Sequence, residues 1–163
     1  MAQPLSILLA DEAATAALAR ELAPCLRHGD VVALHGDLGA GKTSFARGLI
    51  RSLTGASEEA PSPTFTLMQT YESAIGPVHH FDLYRIANPD ELVEIGFEEA
   101  LGDGVVLIEW PDRAGSWLPE RRLDVLLGFG VDAGVRVAQL IPRGVWADNR
   151  PEFATLQRRM RGE

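Results

Sequence analysis

Residues Gly36 to Thr43 read GDLGAGKT and meet the phosphate-loop pattern G-x-x-x-x-G-K-[ST] at every defined position. The run before them, Val31-Val32-Ala33-Leu34, is short, apolar and β-branched, as a buried parallel strand is. The run after them, Lys42 to Leu53, has helical spacing, with Phe45, Leu49 and Leu53 on one stripe. Strand, glycine turn and helix in that order leave few folds open. With Gly36, Gly39 and Gly41 in the turn, the backbone can curl with its N–H groups inward, and the helix N-terminus adds partial positive charge at the same place. That is a cradle for phosphate. Lys42 would reach the β- and γ-phosphates of a nucleotide, Thr43 would offer its hydroxyl to a bridging magnesium ion, and Ser44 would touch the α-phosphate. A plain glycine-rich turn capping a helix is the competing reading, and the strand before and helix after count against it.

With 163 residues and 46% hydrophobic content, the chain has the size and apolar fraction of one domain able to bury its own core. The formal net charge of −8 argues against a broad electrostatic grip on nucleic acid, so direct nucleic-acid binding is not expected. Arg158, Arg159 and Arg161 cluster near the C-terminus, where such charges usually form a solvated helix end. The single cysteine, Cys25, has no internal partner for a disulfide, and its setting in a predicted amphipathic helix favours a buried thiol over a nucleophile. Leu5 to Ala10 is apolar but is cut short by Asp11-Glu12 with no basic residues before it, which reads as neither signal peptide nor membrane span. A soluble, cytoplasmic protein is expected.

Leu5 to Leu9 reads as a strand and Asp11 to Arg27 as a helix, with Asp11 as N-cap and Leu18, Leu22 and Leu26 aligned. Beyond the phosphate loop and its helix, Ala60-Pro61-Ser62-Pro63 interrupts regular structure. Thr64 to Tyr71 and Val78 to Tyr84 then read as a hairpin. Asn88-Pro89-Asp90 opens a short acidic helix, a second helical turn follows at Phe97 to Leu101, and Val105 to Ile108 returns to a buried strand. Two alternating runs, Leu123 to Phe129 and Val135 to Ile141, precede a closing helix from about Pro151. This interleaving predicts a layered α/β domain with a parallel centre at the phosphate loop and hairpin-linked antiparallel edges.

Three further residues bear on chemistry. Glu109 directly follows the apolar run Val105 to Ile108, so a buried strand would carry its carboxylate to the sheet edge that holds the phosphate loop, in reach of a metal ion. Its alternative is an ordinary salt-bridging glutamate. Asp82, in His79-His80-Phe81-Asp82-Leu83-Tyr84-Arg85, shares a strand face with His80, while Phe81 takes the other. The residues alone leave open whether Asp82 orients a water or the metal's outer shell, or is satisfied by Arg85 or a backbone amide. The two histidines face opposite ways, a poor joint metal site, and each ring suits a structural hydrogen bond. Thr64, in Ser62-Pro63-Thr64-Phe65, could present a hydroxyl to the γ-phosphate as switch segments do, although alone it reads as a proline turn before a strand.

Taken in order, GDLGAGKTSFARG, SPTFTLMQTY, HHFDLYR and VLIEWPDR cover about half the chain, and through them the sequence resembles the TsaE (formerly YjeE) family of small bacterial ATPases that serve threonylcarbamoyladenosine modification of tRNA. The resemblance implies a single P-loop ATPase domain over residues 1–163, an α/β P-loop NTPase-like three-layer sandwich with a mixed central sheet. It implies ATP and Mg2+ as cofactors. Nucleotide contacts would come from Gly36, Asp37, Leu38, Gly39, Ala40, Gly41, Lys42, Thr43, Ser44 and the switch threonine Thr64. Thr43 and Glu109 would be the metal ligands, Asp82, Lys42 and Glu109 the catalytic residues, and Trp110 the aromatic beside the site, although an indole there equally suits the core. It also implies action through a TsaB–TsaD complex, with TsaD making the transfer to tRNA and this chain hydrolysing ATP, slowly without those partners. A small-molecule P-loop kinase is the main alternative, although no compact arginine cluster suited to a lid is evident. A passive nucleotide binder comes next, and a GTPase last, because the guanine-reading N-K-x-D sequence is absent.

Overall fold

The computed structural model describes residues 5–55 and 67–163. Its centre is β2 (Val31–His35), whose first four residues are all buried. A strand with both faces covered must be apolar throughout, which is why this segment shows no alternation. β2 pairs in parallel with β5 (Val105–Glu109) on one side and β6 (Arg122–Phe129) on the other. β4 (Val78–Asp82) extends the parallel set beyond β5, and β3 (Met68–Tyr71) closes that edge antiparallel to β4. At the opposite edge β7 (Arg136–Arg143) returns antiparallel to β6, and β1 (Leu5–Leu9) lies antiparallel on β7. The sheet order is β1-β7-β6-β2-β5-β4-β3, the mixed sheet with parallel centre and antiparallel edges that the sequence predicts.

Two layers flank it. On one face α1 (Glu12–Leu22), α2 (Lys42–Thr54) and α5 (Pro151–Met160) bury Leu18, Leu22, Phe45, Leu49 and Phe153 against Val32, Leu34, Leu107 and Val125. Burial of each of the larger apolar side chains contributes roughly 1.5–3 kcal/mol. On the other face the one-turn helices α3 (Glu91–Glu94) and α4 (Phe97–Ala100) and the 3-10 segment Pro111–Trp117 cover β4, β5 and the start of β2 around Phe81, Phe97, Val106 and Ile108. Phe81 and Phe97 meet edge to face, with centroids 5.1 Å apart.

Local chemistry accounts for the boundaries. Asp11 caps α1 as expected, its carboxylate accepting from the Ala14 N–H at 2.8 Å. The helix ends at Leu22, earlier than Arg27, because Pro24 cannot donate to the ladder and the chain tightens into a 3-10 turn at Ala23–Cys25. Leu26 is nonetheless buried with Leu18 and Leu22, so the apolar stripe outlasts the helix. The hairpin is shorter than its alternating runs suggest: β4 stops at Asp82, and β3 starts at Met68, after Leu67 with φ of 63°. Residues Thr64 to Thr66 lie outside the described residues.

Two buried carboxylates tie distant segments together. Asp30, at the entry to β2, accepts from the two terminal guanidinium nitrogens of Arg150 at 2.6 and 2.9 Å, and both side chains are almost fully buried. Arg150 also donates to the carbonyls of Cys25 and Trp146, which fastens the start of α5 to the 3-10 turn. Beside it the Cys25 thiol is buried as expected, and burial, then the charge of Glu152, pushes its pKa up to about 11. Asp124 on β6 receives His35, Arg122 and Arg143 at 2.8–3.0 Å. Burial works to raise its pKa, but the hydrogen bonds from those three residues outweigh it and hold the carboxyl well below the usual range.

Asp30→Ala strands the Arg150 charge in the interior, so urea unfolding is expected to show a loss of about 3–5 kcal/mol. The depressed Asp124 adds stability that is complete above the unfolded-chain carboxyl pKa of about 3.9 and is lost as pH falls below it. Melting temperature followed from pH 7 to pH 3 should therefore fall less steeply in Asp124→Asn than in the parent.

Candidate functional site

The phosphate loop leaves β2 at His35 and enters α2 at Lys42. Gly36 has a φ of 153°, and a Cβ there would sit 2.5 Å from the Leu127 carbonyl, so only glycine lets the loop start this close to β6. Gly41, with φ of 106°, is the N-cap of α2, and no side chain caps that first turn. The helix N-terminus is thus presented to the loop's concave side, where its amides and partial positive charge suit an anion. Ala40 is buried beneath the loop, while Leu38 stands exposed at its tip.

The acids come from the neighbouring parallel strands. Leu34 pairs with Glu109 across β2 and β5, and Asp82 pairs with Glu109 across β4 and β5. Register alone therefore lines up the loop's origin, Glu109 and Asp82 along one end of the sheet, as expected for ligand sites in parallel α/β sheets. The Thr43 hydroxyl donates to Glu109 Oε1 at 3.1 Å. Glu109 and Asp82 are both buried, and Asp82 Oδ1 accepts from the Tyr84 N–H at 3.0 Å, which is the backbone-amide partner open to it from sequence.

Lys42 folds back over its own loop. Its ammonium donates to the carbonyls of Gly36 and Asp37, the latter at 3.1 Å, and lies 3.8 Å from the centre of the Trp110 ring. Burial lowers the Lys42 pKa, with the carboxylates of Glu109, Asp82, Asp37 and Asp112 pulling the other way. Trp110 sits at φ 59° and packs on Tyr84, with ring centroids 4.9 Å apart. It is partly buried, lining the cleft and packing against the second apolar cluster.

Gly39, Gly41, Lys42, Thr43, Ser44, Asp82, Glu109 and Trp110 all line one cleft of about 410 Å3, together with Leu38, Tyr84 and Arg85. On the far side of the loop a second cleft of about 560 Å3 shares Gly39, Gly41 and Ser44 and is walled by Asp11, Glu12, Thr15, Gly134 and Arg136. Ser44 donates to Glu12 at 2.9 Å across it. A larger cleft, about 770 Å3, lies between α1 and α2 by Arg20 and Arg51, but among the described residues no carboxylate lines it, and it is remote from the loop. Size therefore does not select the site; the convergence of lysine, hydroxyl and carboxylates does.

The structure brings together every site residue expected from sequence except Thr64, which lies outside the described residues. It also adds some. Arg136 donates to the Gly39 carbonyl at 3.1 Å while lying against Phe129, bracing the loop from the β6–β7 hairpin. Arg85 and Tyr84 reach the cleft from the end of β4. Their signal was the HFDLYR run itself, since the residues following a strand whose end carries Asp82 emerge at the same sheet edge. Arg136 carried no local signal. Among the described residues no cluster of three or more His, Cys, Asp or Glu side chains is placed to hold a metal. Thr43 and Glu109 form instead a pair of hard oxygen donors beside a phosphate cradle. This fits magnesium, which takes one or two protein oxygens and completes its shell with phosphate and water. No helix among the described residues is long and apolar enough to cross a membrane.

Comparison with known proteins bears on the family. The family model for "Threonylcarbamoyl adenosine biosynthesis protein TsaE" matches residues 9–131. The tRNA threonylcarbamoyladenosine biosynthesis protein TsaE of Rickettsia felis is 46% identical over 135 residues, covering 83% of this chain and 78% of its own. The protein of that name from Bacillus subtilis is 40% identical over 114 residues, covering 69% and 70%. The crystal structure of Bacillus subtilis YdiB aligns with a TM-score of 0.78 over 98% of this chain and 97% of that one, at 28% identity. The matched span holds the phosphate loop, Asp82, Glu109 and Trp110. The chain belongs to the TsaE family.

Proposed function

We propose that this protein binds ATP with magnesium and hydrolyses it in support of threonylcarbamoyladenosine formation in tRNA, acting in the cytoplasm through a TsaB–TsaD complex and not as the transferase. The observation that carries the reading is the Thr43–Glu109 contact: a phosphate-loop hydroxyl and a buried strand-end carboxylate, 3.1 Å apart, opposite the N-terminus of α2. The family names of its relatives supply the pathway.

Thr43 and Glu109 would hold the metal, which when bound offsets negative charge on the transferring phosphoryl group. The loop amides and the helix terminus bind the phosphate oxygens. Lys42 exchanges its two carbonyl partners for β- and γ-phosphate oxygens, a move the flexible lysine stem allows. Asp82, one strand over and fixed by the Tyr84 amide, would orient the attacking water. That water adds to the γ-phosphorus, the bond to the β,γ-bridging oxygen breaks, and the water's surplus proton leaves with the products. Trp110 and Tyr84 form an aromatic wall that limits water on one side of the cleft. The second cleft, beyond Ser44, is where the nucleoside end of the ligand fits.

The kinase alternative requires transfer to an acceptor other than water, so phosphate release separates the two readings. With magnesium, purified protein is expected to release phosphate from ATP slowly, and faster with TsaB and TsaD present. ATP binding without phosphate release under any of these conditions contradicts the reading. Asp82→Asn should lower kcat by about 10²–10⁴-fold with ATP affinity little changed, as loss of a positioned acid–base group does. Lys42→Ala should weaken equilibrium binding of ATP and ADP alike, measured by calorimetry.

A further inference from the structure

His80 is the one histidine of this strand with no route to solvent. Its side chain is 0% exposed, and that of Glu109 is 2% exposed. In the β4–β5 register it sits opposite Leu107, two residues before the Asp82–Glu109 pair, on the same face. That diagonal brings its Nε2 to 2.7 Å from Glu109 Oε2. A carboxylate oxygen accepts, so the ring proton lies on Nε2. The other ring nitrogen, Nδ1, is buried with no hydrogen-bond partner among the described residues.

An imidazole buried with one nitrogen unused is a poor way to fill space, because an apolar side chain would occupy the position without stranding a polar atom. Packing therefore does not explain the ring; its Nε2 contact does. The neighbouring His79 makes the contrast. It faces the other way and shares its two nitrogens between the Thr70 hydroxyl and Asp103. Glu109, by comparison, is gripped at both oxygens, Oε1 by Thr43 and Oε2 by His80.

From this geometry we infer that His80 is a positioning residue for the metal site: it holds Oε2 so that Oε1 stays turned toward Thr43 and the phosphate loop. The inference rests on the proposed magnesium role of Glu109. It assigns to His80 no contact with nucleotide or metal. Its effect is to keep the carboxylate oriented before the ion arrives, as hydrogen-bonded partners of metal ligands do elsewhere.

The test compares His80→Asn with His80→Gln, two amides that differ in reach: Gln extends a donor to the place of Nε2, and Asn stops at the place of Nδ1. The readout is Mn2+ affinity of the ADP-bound protein, from the free Mn2+ signal in electron paramagnetic resonance, with no turnover required. His80→Asn is expected to weaken Mn2+ binding by about 10-fold or more. His80→Gln should stay close to the parent, and ADP affinity in EDTA should be the same in all three. Equal Mn2+ affinities for the Asn and Gln variants overturn the inference. Glu109→Ala serves as the control. If it binds Mn2+ like the parent, the magnesium reading itself fails and this inference with it; if it alone loses Mn2+, only the inference fails. Should the variants not fold, nitrogen-15 spectra of the unaltered protein decide: the His80 Nε2–H resonance must persist when Mg2+ and ADP are added, and its loss contradicts the assignment.

Discussion

The site depends on the parallel placement of β2 between β5 and β6. Because β2 and β5 run the same way and Leu34 pairs with Glu109, the phosphate loop and the strand-end carboxylate leave the sheet at one edge. The same pairing, continued to β4, adds Asp82 and sets His80 diagonal to Glu109. A slip of one residue between β4 and β5 would turn Asp82 and His80 to the face of Phe81 and dismantle the site in one step. Phe81 packed in the core on one face of β4 and His80 bonded to Glu109 on the other resist such a slip.

Around this edge the molecule is braced from several sides. Gly36 lets the loop begin against Leu127, Arg136 holds the loop from the β6–β7 hairpin, and the Asp124 cluster ties His35, the residue before the loop, to β6 and β7. Asp30 and Arg150 do the same at the far end of β2. A loop fastened in this way would meet a phosphate with little reorganisation, which is the condition for electrostatic stabilisation to be effective. The movable parts are the side chains of Lys42 and Thr43, each now bonded within the protein to a group it would exchange for phosphate or metal.

Much of this was legible in the residues because the signals are local. The loop, its flanking strand and helix, and Glu109 at the end of Val105 to Ile108 follow from periodicity and spacing. Other features were not local. Asp30 and Arg150 are separated by most of the chain, so nothing near either residue announces the pair. The role of Arg136 needs the hairpin folded beside the loop. The early end of α1 was visible in Pro24, but the stripe of Leu18, Leu22 and Leu26 masked it, since Leu26 is buried without being helical. For His80 the face was readable and the partner was not. Alternation places it with Asp82, but the diagonal to Glu109 exists only once β4 and β5 are in register.

The most direct test of the account is a crystal structure of this protein with Mg2+ and a non-hydrolysable ATP analogue. The account predicts the ion bound by the Thr43 hydroxyl and the Glu109 carboxylate, with the phosphates in the Gly36–Thr43 loop, Lys42 moved from its carbonyls onto phosphate, and His80 still on Glu109. An analogue seated in the cleft by Arg20 and Arg51, or a metal held with Glu109 turned away, would contradict it.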